Sequence, residues 1–338
     1  MIKEYISEDI DEILRALRET GLEEKLPPPF EYDLLKLLHR ANPLRKKYYL
    51  IMQDERFAFF TSYFNRMDLF TYGRFQWFIN IQTIGFPCSL STKGYVTNDE
   101  KWMLEYIKTI RGCKLILNAD EKTDITGMTF GETLPTCVLE LLPEHTSLEK
   151  YIKSLRSTYR RRLMQAQKRC RNVTVKRITD DSIDVYPLYL QTYEKSDYKL
   201  ECLTKEFFDE APAEKLVFML GDKPVGFVQL KINGDELVFV FCGMEYGDME
   251  YQGERIENPD LYFFMLMHIV DYAIEKNVKR IDLGQTSENT KMRFGAKLQK
   301  KYFYAHHTNK VINKAAQLGR HLLEYRYSFP DYRAFKGD

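Results

Sequence analysis

The fold of this chain is most clearly indicated by the stretch Ile281-Asp-Leu-Gly-Gln-Thr-Ser-Glu-Asn-Thr-Lys-Met-Arg-Phe-Gly-Ala296. Residues 278–283 alternate between apolar and polar side chains directly after a helical pattern, which is typical of a strand entered from a crossover helix. Gly284 is predicted to end this strand, and the polar run after it predicts a loop that leads into a helical turn at 289–294. Gly295 supplies the backbone freedom, including positive φ, that closes such a turn.

Two cations, Lys291 and Arg293, are predicted to project near the end of this strand. A cation in such a position binds a phosphate or stabilises an oxyanion, whereas the alternative is a solvated loop lysine. The aromatic run Tyr302-Phe-Tyr304 predicts that a strand resumes after the turn. The stretch therefore predicts a strand, a polar turn and an electropositive site in succession.

Composition excludes a disordered or a fibrous protein. With 338 residues and a hydrophobic fraction of 44%, the chain is long and apolar enough for two packed domains. The net charge is +1, from 50 basic and 49 acidic residues, so charge effects must come from local patches. The six cysteines are scattered, without a Cys-x-x-Cys pair or histidines at ligand spacing, so we predict reduced thiols and no metal site.

Targeting and nucleotide-binding signals are not found in the sequence. The N-terminus, Met1-Ile-Lys-Glu-Tyr-Ile-Ser-Glu-Asp-Ile10, has acidic residues where a signal peptide has its apolar core. No apolar run approaches the roughly 20 residues of a membrane helix. We therefore expect a cytoplasmic protein without a transmembrane segment. The motifs of serine hydrolases, Walker-type nucleotide enzymes and dinucleotide-binding enzymes do not occur, which argues against those classes.

The same order of elements is predicted twice along the chain: helices, an antiparallel meander, a crossover helix and another strand. The first series comprises helices at 9–19 and 32–40, strands at 48–52, 58–64 and 75–84, a helix at 98–110 and a strand at 114–117. The second series comprises a helix at 148–169, strands at 173–177, 216–220, 225–232 and 236–243, a helix at 259–276 and a strand at 279–283. We therefore predict an α/β (α+β) fold with two domains, residues 1–140 and 141–338, each a mixed, largely antiparallel sheet flanked by helices.

Turn chemistry is clearest in the second half. Gly221-Asp-Lys-Pro224 and Asn233-Gly-Asp235 lie between alternating apolar runs, so residues 216–243 are predicted to form three consecutive antiparallel strands. Asn258-Pro-Asp260 is predicted to start the next helix, with Asn258 as its cap and Pro259 at its first position. That helix is apolar on nearly every side and is therefore predicted to be buried.

This order of elements resembles the Gcn5-related N-acetyltransferase (GNAT) fold. Its duplication resembles the Fem-type branch, the peptidoglycan aminoacyltransferases and their acetyltransferase-like relatives. The likeness is carried by the basic stretch 147–168, by 261–277 leading into Ile281-Asp-Leu-Gly284, and by Lys291-Met-Arg-Phe-Gly295, which is similar to the family's Lys-x-x-Phe-Gly signature. It covers roughly residues 136–307, and the N-terminal half only by element order. The resemblance implies two tandem GNAT-like domains, the first of them degenerate.

The resemblance also implies an activity. It implies an acyltransferase that moves an acyl or aminoacyl group to an amine or amino-sugar acceptor, with the donor lying where two strands of the second domain diverge. The implied donor is acyl-CoA or an aminoacyl-tRNA, and the implied acceptor is a small molecule or a lipid-linked envelope precursor. Lys291 would lie near the transferring group or a substrate phosphate, and no metal is needed. The alternative is a catalytically silent GNAT-fold binding protein that recognises an anionic or envelope-linked ligand.

One departure from the family pattern bears on the donor. Acetyl-CoA-binding members have a Gly-rich turn before the buried helix, and its backbone amides hold pyrophosphate. This chain instead has the stretch 243–260, which contains six acidic residues against a single arginine, Arg255. Such a loop repels pyrophosphate. Fem-type relatives also lack the glycine turn, so the departure favours that branch.

The general base and proton relay are predicted near the end of the meander. Glu245 and Tyr246 follow its third strand, where desolvation raises the pKa of a carboxyl group. Glu288, in the polar turn, is the competing base and a predicted substrate-binding residue. A solvated surface acid is the alternative for each carboxylate.

The predicted helix 148–169 is amphipathic and strongly basic. Arg156 and Arg160, one turn apart on it, are predicted to bind the phosphates of a lipid-linked precursor, a tRNA or CoA. Arg293 is predicted to support substrate binding beside Lys291. The alternative for the helix is a solvated cationic face.

Overall fold

The computed structural model describes residues 2–27, 30–68, 76–197, 199–247, 249–251 and 253–337. Its backbone contacts divide the chain into two units. Unit 1 comprises Met1–Pro135, Tyr198–Phe207 and Lys300–Tyr327, and unit 2 comprises Thr136–Asp197, Phe208–Gln299 and Ser328–Asp338. Both units are discontinuous in sequence, whereas the predicted domains are single spans that meet at residue 140.

The first elements of the chain belong to unit 1. They are β1 (Lys3–Ser7), α1 (Ile10–Glu19), α2 (Tyr32–Ala41), β2 (Arg45–Gln53), β3 (Arg56–Asp68), β4 (Phe78–Ile84), β5 (Tyr95–Thr97), α3 (Glu100–Thr109), β6 (Cys113–Ala119) and β7 (Thr129–Glu132). The strand predicted at 75–84 begins at Phe78 among the described residues, and its first predicted residue, Phe75, lies outside them.

The next elements build unit 2, except that the boundary between the units crosses α7 after Phe207, and the last ones return to unit 1. The first group is β8 (Thr136–Glu140), α4 (Leu148–Ser154), α5 (Ser157–Arg169), β9 (Val173–Ile178), α6 (Tyr186–Lys195), α7 (Lys205–Glu210), β10 (Glu214–Leu220), β11 (Lys223–Asn233), β12 (Glu236–Met244), β13 (Glu250–Tyr251), β14 (Glu254–Arg255), α8 (Asn258–Glu275), β15 (Arg280–Asp282), α9 (Glu288–Arg293) and β16 (Lys297–Gln299). The second group is β17 (Tyr302–His307), α10 (Lys310–Leu318) and α11 (Arg320–Leu323).

The two main sheets have the same strand order. In unit 1 the order is β1-β2-β3-β4-β6-β17-β7, with β5 paired to β3, and in unit 2 it is β9-β10-β11-β12-β15-β8-β16. Each sheet contains one parallel pair, β4 with β6 and β12 with β15, among antiparallel neighbours. The predicted fold class, two mixed and largely antiparallel sheets flanked by helices, is confirmed.

Local sequence explains the elements of unit 2 that lie nearest to the parallel pair. Gly221 and Gly234 adopt positive φ, +61° and +60°, in the two tight turns that join β10, β11 and β12. Gly226 on β11 allows α8 to pack closely, because a Cβ there would lie 3.2 Å from the sulfur of Met265. Helix α8 is buried along most of its length, as its apolar sequence predicts.

Two local predictions are wrong. The helix predicted at 148–169 is two helices, because Leu155 forms a β-bridge with Phe335 and the Arg156 N–H donates to the carbonyl of Ala334 at 2.8 Å. Asn258 is not a cap, since it is already helical and its side-chain amide donates to the carbonyl of Glu245 at 2.6 Å. The strand predicted at Tyr302-Phe-Tyr304 is confirmed as β17, and it pairs with β6 and β7 of unit 1.

Unit 1 buries one carboxylate without a cationic partner among the described residues. Glu201 is 5% exposed, and its Oε1 accepts hydrogen bonds from the backbone N and the Oγ of Ser89, at 2.6 and 2.8 Å. Its Oε2 has no hydrogen-bond partner in the described part of the chain. Burial raises the pKa of Glu201 to about 7, against the opposing effect of the Ser89 hydrogen bonds.

Replacing Glu201 with Gln is expected to stabilise the protein above neutral pH. The folded-state pKa, about 7, lies above the ordinary value of 4.5. The folded state therefore retains a proton that the unfolded state loses, and stability falls as the pH rises from the lower value through the higher one. The shift corresponds to about 3 kcal/mol at most. Urea unfolding at several pH values should show Glu201→Gln gaining on the wild type over this window, with exposed Glu24→Gln as control. Parallel pH profiles for Glu201→Gln and the wild type would contradict the assignment.

Candidate active site

The sheet of unit 2 opens where its two parallel strands separate. Strands β12 and β15 pair through three residue pairs, Glu236 with Arg280, Leu237 with Ile281 and Val238 with Asp282. Strand β15 then ends, whereas β12 continues to Met244. The chain after β15 therefore leaves the sheet while β12 is still extended, which creates an opening between them.

The turn after β15 is held by hydrogen bonds to both of its sides. The Asp282 carboxylate accepts from the Thr136 hydroxyl at 2.5 Å and from the Gly284 N–H at 2.8 Å. The Gly284 carbonyl accepts from the Cys137 N–H at 3.0 Å. Gly284, Thr286 and Ser287 all have positive φ, between +51° and +73°. Such backbone is costly for the two non-glycine residues, so this turn is a strained segment.

Lys291 is buried in this opening. It is 2% exposed, and its Nζ donates to the carbonyl oxygens of Gly284 at 3.2 Å and Gln285 at 2.8 Å. Burial lowers the pKa of Lys291, while the neighbouring thiols of Cys137 and Cys242 oppose the shift. The lysine is therefore a desolvated amine and not the solvated loop residue that was its alternative.

Groups from four separate elements surround this lysine or its neighbours. Cys137 on β8 and Cys242 on β12 lie close enough for Lys291 to influence both thiols, whose pKa values burial raises to about 12 and about 11. Tyr262 on α8 lies beside both thiols and hydrogen-bonds to Ser287, and burial raises its pKa well above the ordinary value. Glu288, which is 7% exposed, starts α9 beside Lys291. Two of the predicted site residues, Lys291 and Glu288, therefore lie close together.

The Phe-Gly part of the Lys-x-x-Phe-Gly motif has a structural reason. Phe294 is fully buried, and its carbonyl accepts a hydrogen bond from the Tyr151 hydroxyl. Gly295 has φ +105°, and a Cβ there would lie 2.6 Å from the ring of Phe335. Only glycine is compatible with this position. The motif therefore anchors the end of α9 and fixes the direction from which Lys291 enters the opening.

The environment of Glu245 differs from the predicted one. Its carboxylate is 13% exposed, pairs with Lys223 Nζ at 2.7 Å and accepts from the Gly247 N–H at 2.9 Å. The hydrogen bond from Lys223 lowers the pKa of Glu245 more than burial raises it, so the predicted upward shift is wrong. Tyr246 is half-buried with a raised pKa, and it lies near Cys242 and Tyr262. It is therefore Tyr246, and not Glu245, that adjoins the cluster around Lys291.

The three predicted anion-binding arginines have different surroundings. The Nε of Arg156 donates to the carbonyl of Phe335 at 2.9 Å, so this side chain anchors the C-terminal segment. Arg160 is half-buried on α5 and has no ion-pair partner within the described ranges. Arg293 is exposed, and its guanidinium lies 5.6 Å from the ring centroid of Tyr332. The structure does not gather these three arginines at Lys291.

The sequence placed Asp260 at the start of α8, but its burial and its ion pairs were not predicted. Asp260 is 1% exposed and pairs with Arg162 and, at 2.7 Å, with Arg169. It lies in the first turn of the helix, where the helix dipole favours a negative charge. Two cations of the basic helix are therefore neutralised by an internal anion. The available signal was an acidic residue in the first turn of an apolar helix, in a chain that also contains a strongly basic helix.

Tyr262 was also missed, since a tyrosine in the first turns of an apolar helix is common.

Among the described residues, no group of three or more His, Cys, Asp and Glu side chains could hold a metal ion. Within the same ranges, no helix combines the length and the apolarity that crossing a membrane requires. All six cysteines are free thiols.

Comparison with known proteins gives likeness in structure but not in sequence. No protein-family model and no curated protein matches the chain. Among solved structures, the chain is similar to the C-terminal domain of a protein described as a lysylphosphatidylglycerol synthetase, from Agrobacterium fabrum. The identity is 11%, the match covers 93% of this chain and 98% of that domain, and the TM-score is 0.50.

Two further solved structures resemble the chain less closely. One is L-PGS from Bacillus licheniformis, with 9% identity over 88% of this chain and 97% of that one, and a TM-score of 0.49. The other is a tandem GNAT protein from the clavulanic acid biosynthesis pathway, with 10% identity over 91% and 99% of the two chains and a TM-score of 0.49. At such identities a likeness concerns the fold alone. The chain thus has the fold of the Agrobacterium fabrum domain.

Proposed function

We propose that unit 2 is an acyltransferase that moves an acyl or aminoacyl group to an amine acceptor, with its reaction centre in the opening between β12 and β15. The observation that carries the proposal is the burial of Lys291 in this opening, among thiols, a tyrosine and a carboxylate from four elements. A desolvated cation at the end of a strand is suited to stabilise negative charge that develops on a carbonyl oxygen.

The proposed reaction needs an oxyanion donor and a proton acceptor. The acceptor amine attacks the carbonyl carbon of the donor, a carbon–nitrogen bond forms, and the bond to the donor's sulfur or oxygen breaks. Lys291 Nζ stabilises the oxyanion of the tetrahedral intermediate. The amine loses its proton to a carboxylate, and the departing thiolate or alkoxide gains one.

Glu288 is the carboxylate that we favour as proton acceptor. It lies beside Lys291 and is largely buried, whereas Glu245 is held by Lys223 and has a lowered pKa. A carboxylate with a lowered pKa is a weaker base. Tyr246 and Tyr262 adjoin the same cluster and are the proposed route for the proton.

The donor that we favour is an aminoacyl-tRNA, with acyl-CoA as the alternative. The start of α8, where a pyrophosphate would profit from the helix dipole, already carries Asp260 with Arg162 and Arg169. The acidic stretch 243–260 adds further repulsion for a compact anion, although Asp248 and Gln252 of this stretch lie outside the described residues. The cations that remain on α5, Arg160 among them, suit phosphates spread along a backbone.

The acceptor that we favour is lipid-linked. The Agrobacterium fabrum protein is described as a synthetase of lysylphosphatidylglycerol, a name that denotes an aminoacyl group carried by a lipid. A lipid-linked peptidoglycan precursor or a small amine or amino sugar is compatible with the same chemistry. A catalytically silent binding protein is the second candidate, since Lys291 Nζ already donates to two backbone carbonyls, as a purely structural lysine does.

Donors and acceptors can be identified by thermal unfolding in the presence of acyl-CoAs, aminoacyl-tRNAs and amine acceptors, because a ligand of the native state raises its stability. Turnover of the stabilising donor and acceptor is then measured as the release of the free thiol or of the free tRNA. Stabilisation by an acceptor without turnover of any donor would favour the binding protein.

Replacing Lys291 with Met is expected to lower kcat by roughly a hundredfold or more, since it removes an oxyanion donor. The apolar chain of Met fills the same buried space, so the circular dichroism of the variant should match the wild type. Lys297→Met, an exposed lysine on the adjoining β16, is the matched control and should keep kcat. Equal turnover of Lys291→Met and the wild type would remove Lys291 from the mechanism.

The pH dependence gives a second measurement on Lys291. The cationic form exists below its pKa, and burial lowers that pKa from the ordinary value of 10.5. Turnover should therefore fall on the alkaline side at a lower pH than an exposed lysine would produce. This limb should be absent from the residual activity of Lys291→Met.

Replacing each of the two carboxylates in turn shows which of them is the general base. Glu288→Gln is expected to reduce kcat by about a hundredfold or more, because a general base contributes on that order. Glu245→Gln should change kcat by roughly threefold at most, since it loses only the ion pair with Lys223. The opposite ranking in a steady-state assay would assign the base to Glu245.

Asp260→Asn is expected to weaken unit 2 and to create an anion site. The substitution removes the charge that Arg162 and Arg169 neutralise, at a cost of roughly 2 kcal/mol in unfolding free energy. It also frees both arginines, so inorganic pyrophosphate should bind roughly tenfold more tightly in calorimetry than to the wild type. Glu257→Gln, an exposed acid at the same helix start, is the control. Tight pyrophosphate binding by the wild type would show that Asp260 does not block the site.

A further inference from the structure

Helix α10 of unit 1 is amphipathic, but its apolar side points away from the protein. Val311 and Leu318 are 79% and 72% exposed, and Leu322 of α11 is 50% exposed. On α10, Val311, exposed Ala315 and Leu318 follow one another at spacings of four and three, which places them on one face, and Leu322 lies on α11 directly after it. Ile312, 51% exposed, adjoins this face. We call Val311, Ile312, Ala315, Leu318 and Leu322 the apolar stripe.

Polar contacts hold the opposite side of α10 against unit 1. The Asn313 side chain accepts from the His307 N–H at 3.1 Å and donates to the Gly127 carbonyl at 2.7 Å. Asn309 caps the helix by accepting from the N–H groups of Val311 and Ile312, at 3.0 and 3.2 Å. The outward direction of the apolar stripe is therefore fixed by specific hydrogen bonds.

Other helices of unit 1 show the usual arrangement. The apolar residues of α1, including Ile13 and Leu17, are buried at 1% and 0% exposure. Helix α10 contains no buried residue. An outward apolar stripe of this kind requires a partner that covers it, because single exposed apolar residues are ordinary but a continuous face is not.

The charges around the stripe indicate what that partner is. Residues 309–323 contain Lys310, Lys314 and Arg320 and no acidic residue. Lys310 and Lys314 are exposed one turn apart along one flank of the stripe. Arg320 forms an ion pair with Glu324 at 3.4 Å. Apolar side chains flanked by lysines are the combination that inserts into the interface of an anionic bilayer.

We propose that α10 and α11 dock unit 1 onto the surface of an anionic lipid bilayer, with the apolar stripe between the headgroups and the two lysines on the lipid phosphates. The proposal rests on α10 and α11 alone and not on the reaction centre of unit 2. Each can therefore fail without the other. Docking of this kind would bring the protein to lipid-linked molecules at the membrane surface.

Cosedimentation of the full chain with lipid vesicles tests the proposal. The protein is expected to bind vesicles that contain phosphatidylglycerol mixed with phosphatidylcholine, and to bind vesicles of phosphatidylcholine alone more weakly. Binding to the anionic vesicles should weaken as the salt concentration is raised. The affinity of the double variant Val311→Ser/Leu318→Ser for these vesicles should be lower by roughly tenfold or more, since the variant lacks the most exposed apolar side chains. The double variant Lys310→Gln/Lys314→Gln should lose a similar factor at low salt and most of the salt dependence.

Controls and contrary outcomes complete the design. Met164→Ser, which alters an exposed apolar residue on a helix of unit 2, should bind vesicles as the wild type does. All variants are surface changes, and circular dichroism checks their fold. Wild-type protein that ignores anionic vesicles, or a serine double variant that binds them equally well, overturns the proposal. The proposal is also overturned if light scattering shows a wild-type dimer and a monomeric serine variant, and neither protein binds vesicles. The stripe would then join two copies of the chain.

Discussion

The short parallel pairing of β12 with β15 is the constraint on which the site of unit 2 depends. Parallel neighbours need a long crossover, and α8 supplies it with a helix that must be buried against the sheet and against α5. Because β15 stops after three pairs, β12 is next bordered by the turn at Gly284 and by Lys291. A longer β15 would close the opening, and a strand order without the crossover would not create it.

Burial of a lysine against carbonyl oxygens is not by itself a sign of catalysis in this chain. In unit 1, Lys46 donates to the carbonyl of Leu44 at 2.7 Å and Lys114 to that of Gly112 at 3.1 Å, and burial lowers both pKa values to about 8. Both lysines serve turns next to their own strands. Lys291 differs in its neighbours, which come from β8, β12 and α9, with Tyr262 of α8 behind them. This convergence, and not the pKa shift, supports the proposed role.

Signals between close neighbours in sequence account for the elements that were predicted correctly, and contacts between distant residues account for the errors. The turn residues of the β10–β12 meander act within a few positions and were sufficient. The break at Leu155 is imposed by Phe335, which no periodicity in 148–169 could indicate. The aromatic run Tyr302-Phe-Tyr304 predicted a strand, but the partners of that strand lie far back in the chain, on β6 and β7. The pKa of Glu245 depends on Lys223, which the hairpin brings across the sheet.

The internal anion at the start of α8 limits which donors fit the acyltransferase proposed for unit 2. A ligand phosphate at this helix end would have to displace Asp260 from Arg162 and Arg169, and it would leave a buried carboxylate without a cation. That state is costly, because an unpaired buried charge loses its hydration without compensation. We therefore propose that donor phosphates are recognised by the outward cations of α5, such as the exposed Arg161 and Lys168. A row of cations along one helix matches phosphates repeated along a nucleic-acid backbone better than a single pyrophosphate, which is why an aminoacyl-tRNA is the donor that we favour.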